Sequence, residues 1–155
     1  MTQPFRYYLR VRYQECDAQH VVFNARYGDY IDLACFEFLR WALPRPTDAT
    51  DGTFECQTVR QVSEWKRPAR YDDVLEVAVR TQRIGATSFT LGFEIRRAGE
   101  ADPLVTSETT YVHVDSKTWA KRDRSWHARR PRGRCRRQGH RPRRVFAVMS
   151  SRNFA

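Results

Sequence analysis

Tyr27-Gly28-Asp29-Tyr30-Ile31-Asp32-Leu33-Ala34-Cys35-Phe36-Glu37-Phe38-Leu39-Arg40-Trp41-Ala42 is the stretch on which the fold turns. Tyr27, Tyr30, Ile31, Ala34, Cys35, Phe38, Leu39 and Ala42 recur at the three- and four-residue spacings of one helical face. Leu33, Phe36 and Trp41 lie off that stripe, so the helix is apolar on more than one side. Such a helix is expected to be enclosed rather than laid on a surface. Asn24 is a candidate N-cap, and Pro44 and Pro46 are placed to stop the helix.

The residues on either side have a different period. Residues 5–14 alternate, with Tyr7, Leu9, Val11 and Tyr13 facing one way and Tyr8, Arg10 and Arg12 the other. That pattern predicts a strand with one buried face. Residues 15–26 break the alternation, as a loop does, and residues 43–52 form a second loop. Strand-like runs follow at 53–66, 74–84, 87–97 and 104–114. In the second of these Leu75, Val77 and Val79 share a face; in the third Phe89, Leu91, Phe93 and Ile95 do. Ile84-Gly85-Ala86-Thr87 and residues 98–103 read as the turns between them. The expected fold is α+β, a long antiparallel five-stranded sheet wrapped around one central helix.

A chain of 155 residues fits one domain with a single sizeable core. No apolar run approaches the roughly 20 residues that span a bilayer. Met1-Thr2-Gln3-Pro4-Phe5-Arg6 lacks the apolar core of a signal peptide, so a cytoplasmic protein without a membrane partner is expected. Cys16, Cys35, Cys56 and Cys135 match no zinc spacing and read as free thiols, Cys35 and Cys56 as small buried apolar groups.

The net charge of +10 is uneven. Residues 1–115 carry 14 Lys/Arg and 17 Asp/Glu, a net of −3, whereas residues 116–155 carry 14 Lys/Arg and one acid, a net of +13. Residues 122–144 hold 11 arginines in 23 positions and no Val, Ile, Leu, Met, Phe or Tyr, so this segment has no means of forming a core. The expected division is therefore a domain over 1–121 and an Arg-rich tail over 122–155. Out-of-frame translation of a GC-rich gene beyond Lys121 accounts for such a composition. Its rivals are a solvated tail without function and an arm binding nucleic acid, acidic carrier protein or phosphates. Nucleic acid is not the expected partner.

Three blocks carry a family resemblance: Val11-Arg12-Tyr13-Gln14-Glu15-Cys16-Asp17 with Val21-Val22-Phe23-Asn24-Ala25-Arg26-Tyr27 and Tyr30-Ile31-Asp32; Arg67-Pro68-Ala69-Arg70-Tyr71-Asp72-Asp73-Val74-Leu75; and Tyr111-Val112-His113-Val114-Asp115. Over about residues 6–121 the chain resembles the 4-hydroxybenzoyl-CoA thioesterase family of hotdog proteins. The resemblance implies an acyl-CoA thioesterase that releases a small or medium acid and CoA, with the acyl group bound between the subunits of a homodimer or homotetramer. It maps the family's catalytic aspartate onto Asp17. Many members carry His or Tyr where this chain has Asn24, which leaves the substrate class open.

By residue type alone, Asp17 is an aspartate closing a turn on its own backbone. Thioester hydrolysis needs an activated water or a nucleophile, and donors for the oxyanion. Under the resemblance Asp17 supplies the first, as general base or as nucleophile. Backbone N–H groups from Phe23 to Ala25, at the helix start, supply the second. His20 is a secondary candidate for proton transfer, and Asn24 is either a cap or a ligand contact. Phe23 and Tyr27 are expected to line the substrate. Arg83, Thr87 and Ser88 are expected to meet the phosphates of coenzyme A by resemblance, with Arg67 and Arg70 next. No Gly-rich phosphate loop, metal triad or Ser-His-Asp pattern is present, so neither a metal nor a tightly bound cofactor is expected; coenzyme A is part of the substrate. The competing readings are a hotdog protein that binds acyl-CoA without turnover, and a hotdog dehydratase or hydratase. The second usually needs a histidine, and the helix carries none.

Overall fold

The computed structural model describes residues 3–43 and 54–123. The Arg-rich segment from residue 124, Cys135, and the expected stop at Pro44 and Pro46 lie outside the described residues. Five strands and one long helix run in the order β1 (Phe5–Arg10), α1 (Arg26–Ala42), β2 (Glu55–Trp65), β3 (Val74–Ile84), β4 (Ser88–Arg97) and β5 (Val105–Val114). The strands form one antiparallel sheet of spatial order β1-β3-β4-β5-β2, so β1 and β2 are its edges. This is the α+β architecture that the change of period predicts.

The eight buried residues of α1 are the eight of the apolar stripe. They pack against Leu75, Val77 and Val79 of β3, Leu91, Phe93 and Ile95 of β4, and Val105 of β5, all at most 2% exposed. Each such side chain removed from water contributes about 1.5–3 kcal/mol.

Full enclosure of the helix is not achieved within one chain. Leu33, Phe36 and Trp41 are 50%, 38% and 51% exposed. The sheet covers one side of the helix and leaves the opposite side open, because a sheet of five strands curls around only part of a cylinder about 10 Å across.

Two further expectations are corrected. The first strand ends at Arg10, not at residue 14, because Val11 donates to the Asp73 carbonyl (2.9 Å) and Tyr13–Glu15 turn into a 3-10 helix. Tyr13 therefore points into solvent at 82% exposure, although the alternation put it with Tyr7 and Leu9. Asn24 is not the N-cap either: Ala25 holds that position with helical dihedrals and no side-chain cap. The chain already turns before the helix, where Arg26 N–H meets the Phe23 carbonyl at 2.9 Å, which places Asn24 inside a turn rather than at the cap position.

The turn after β4 depends on Gly99, whose φ of 88° lies in the region glycine favours, with nothing within 4 Å of an added Cβ. Gly99→Ala is expected to lower stability by about 1 kcal/mol through backbone strain alone, read as a drop in thermal midpoint with the fold unchanged.

Candidate active site

Asp17 sits in a tight reversal between the 3-10 turn and α1. Its N–H donates to Val21 O (2.9 Å), its carbonyl accepts His20 N–H (3.0 Å), and Cys16 bridges Val22. His20 takes a φ of 60° to close this turn. The side-chain Oδ1 of Asp17 accepts Gln19 N–H at 2.8 Å. The turn-closing role read from residue type is thus present, and it occupies one carboxylate oxygen while the half-buried side chain keeps another for a ligand.

Two segments clamp this loop. Phe23 N–H donates to Glu15 O (3.0 Å) and Val22 N–H to Ala69 O (2.9 Å). Ala69 N–H in turn donates to the hydroxyl of buried Tyr27 at 2.9 Å. The segment around Ala69 is itself pinned to the sheet. Arg97 Nε reaches Asp73 at 2.7 Å and its Nη2 reaches the Pro68 carbonyl at 2.9 Å.

Asp17, Phe23, Asn24 and Tyr27 line one cavity of about 390 Å³, with Trp65, Pro68, Lys66 and Arg67 from the end of β2 and the segment that follows. Of the expected donors, Phe23 N–H is consumed by Glu15 O, so it is not available to an oxyanion. Among the described residues the N–H groups of Asn24 and Ala25 have no backbone partner, and they stand at the positive end of the α1 dipole. The cavity lining therefore combines a carboxylate, three aromatic residues, two cations and Asn24, whose N–H has no backbone partner; Ala25 follows it in the chain but does not line the cavity. Trp65, Lys66 and Gln19 were not singled out from the sequence. Trp65 was legible only as the end of a strand-like run.

The structure does not bring every candidate here. His20 and Arg70 do not line the cavity. Arg67 does, while donating to the Asp102 carbonyl at 3.0 Å. Arg83, Thr87 and Ser88 sit at the far end of the sheet. The β1 end nearest Asp17 is level with Val74, and β3 then runs ten residues to Ile84, roughly 33 Å of strand. Within one chain the hairpin is thus separated from Asp17. The antiparallel register decides this, and resemblance along the sequence carries no such information.

The cysteines are poor nucleophiles in this setting. Burial pushes the Cys35 thiol up to about 11 and that of Cys56 up to about 12, and burial together with the Asp17 charge raises Cys16. At neutral pH these thiols are protonated. Among the described residues no group of three or more His, Cys, Asp or Glu is arranged to hold a metal ion.

A single long helix against a five-stranded antiparallel sheet of this order, with a cavity at the helix N-terminus, defines a hotdog protein. Residues 11–133 match the family model described as the thioesterase-like superfamily, and the chain belongs to that superfamily. A curated protein of Aquifex aeolicus (strain VF5) named "Putative esterase" is 33% identical over 90 residues, which is 58% of this chain and 70% of that protein. The crystal structure of a hypothetical protein from Aquifex aeolicus is 27% identical with a TM-score of 0.68, covering 76% of this chain and 92% of the other. A 1,4-dihydroxy-2-naphthoyl-CoA thioesterase from Synechocystis shares the fold at a TM-score of 0.67 and 21% identity, over 77% of this chain and 88% of its own.

Proposed function

We propose that this protein is an acyl-CoA thioesterase of the 4-hydroxybenzoyl-CoA type, with Asp17 as its working carboxylate. The observation that carries the reading is the meeting, in one cavity, of a half-buried carboxylate fixed through one oxygen and the open N-terminus of α1. In the reaction the thioester carbonyl lies against the Asn24 and Ala25 amides. Asp17 takes a proton from water, and the hydroxide formed attacks the carbonyl carbon. The tetrahedral intermediate then collapses to the acid, expelling the CoA thiolate, which is protonated. In the other route Asp17 attacks directly and the mixed anhydride is hydrolysed. Phe23, Tyr27 and Trp65 pack the acyl group, and Lys66 and Arg67 attract the anionic end of coenzyme A. No separate cofactor enters either route.

The working unit under this proposal is a homodimer, alone or paired into a tetramer. Edge strand β2 is 11 residues long and exposes Val59, Val62 and Trp65 at 59%, 44% and 52%. A long edge with exposed apolar residues is a template for pairing. Two copies joined antiparallel through β2 set the Glu55 end of one against the Trp65 end of the other. That operation brings the partner's hairpin end toward the cavity, and with it the copies of Arg83, Thr87 and Ser88 that one chain keeps far from Asp17. No helix among the described residues is long and apolar enough to cross a membrane. A cytoplasmic site of action belongs to this proposal.

A panel of short, long and aromatic acyl-CoA esters, followed by thiol detection of released CoA, tests the activity. Release from at least one ester, abolished by Asp17→Asn, is expected. Saturable binding of an ester without any release would favour the non-catalytic reading.

A further inference from the structure

The geometry points to Glu15 and Tyr30 as a pair of positioning residues for the Asp17 loop and the amides at the start of α1, a role that rests on the reading of Asp17 given above. Tyr30 is 2% exposed and its hydroxyl donates to Glu15 Oε2 at 2.8 Å. The same oxygen accepts Arg12 N–H at 2.7 Å. The main chain of Glu15 is engaged too: its N–H donates to Arg12 O (3.1 Å) and its carbonyl accepts Phe23 N–H (3.0 Å). Glu15 therefore ties together the end of the β1 segment, the residue before the helix amides and, through Tyr30, the second turn of α1 itself.

Asp17 lies two residues beyond this node and Asn24 one residue beyond Phe23. Because Phe23 N–H is turned onto Glu15, the donors left for a carbonyl are those of Asn24 and Ala25. Because the Glu15 carboxylate is held by a buried phenol, the loop has a fixed height along the helix. Tyr30 is buried in the core and does not line the cavity, so neither member of the pair touches substrate. Their effect passes through the placement of the carboxylate relative to the carbonyl, and misplacements of about 1 Å cost on the order of 100-fold in rate.

Three variants and two readouts test this. Tyr30→Phe removes the hydroxyl and leaves the ring. It is expected to lower kcat about 10-fold with KM within about twofold, and to speed amide exchange at Asp17, Val22 and Phe23 by NMR. Glu15→Ala should lower kcat further, about 30-fold, while Glu15→Gln, which still accepts from Tyr30, should recover most of that loss. A Tyr30→Phe protein with wild-type kcat overturns the proposal, even if it melts earlier, since the contact would then be structural only. Equal kcat for Glu15→Gln and Glu15→Ala also overturns it. Asp17→Asn is run alongside. If it retains the wild-type rate, the reading of the site fails and the pair positions nothing catalytic. If it is inert while Tyr30→Phe turns over normally, the positioning role alone falls.

Discussion

Asp17→Asn is expected to lower kcat for CoA release by at least ~100-fold while KM stays within a few-fold. The substitution is nearly isosteric. The asparagine carbonyl oxygen still accepts the Gln19 N–H that Oδ1 accepts at 2.8 Å, so the turn that carries the residue remains closed. What disappears is the basic or nucleophilic oxygen on the cavity side. The loss therefore falls on the chemical step and not on binding, which under the proposed function depends on Phe23, Tyr27, Trp65 and the cations that line the cavity. Initial rates on the best ester of the panel, with thermal melting as a control for folding, check the expectation. An asparagine variant that keeps a tenth or more of kcat would remove Asp17 from the chemistry. A label on the Asp17 carboxylate after single turnover in ¹⁸O-water would identify the anhydride route, with water opening the anhydride at the aspartyl carbonyl, because general-base hydrolysis places the label in the released acid alone.

Placing lysines on the free edge is expected to have an effect of similar size. Val59→Lys with Val62→Lys puts two charges on the exposed, unpaired side of β2, which is how sheet edges are kept from pairing. The double variant is expected to run as a monomer in size-exclusion chromatography with light scattering, to keep the circular dichroism of the parent, and to lose at least ~100-fold in kcat/KM. The magnitude follows from what the partner would contribute under the proposed dimer: several phosphate contacts, each charge-assisted hydrogen bond being worth about 1.5–3 kcal/mol. A dimer that survives the lysines would place the interface elsewhere. A monomer with the full rate would show that the cavity works without the partner's hairpin.

Much of the fold was legible in the sequence because burial imposes a local period. The eight residues of the helical stripe are the eight that α1 buries, and β3 spans the residues 74–84 read from alternation. The same signal failed where the backbone stopped being regular. Tyr13 keeps the alternation of its strand but lies in a 3-10 turn, and Asn24 reads as a cap because the letters do not show that the helix begins one residue later, with Ala25 at the cap position. Buried polar residues on the concave side of β5, Ser107, Thr109 and His113, were not anticipated either, since alternation counts only apolar letters.

By itself the sequence determined the elements, their order, the face each one buries, and, through resemblance, that Asp17 stands before the helix. Those properties depend on neighbours a few residues apart, where the 2- and 3.6-residue periods operate. Only the tertiary structure decided which donors remain at the helix start, that Trp65 walls the cavity, that Tyr30 holds Glu15 across 15 residues, and that Arg83, Thr87 and Ser88 stand at the opposite end of the sheet. Such placements follow from strand register and chain closure, which join residues far apart in the chain and leave no periodic trace in it.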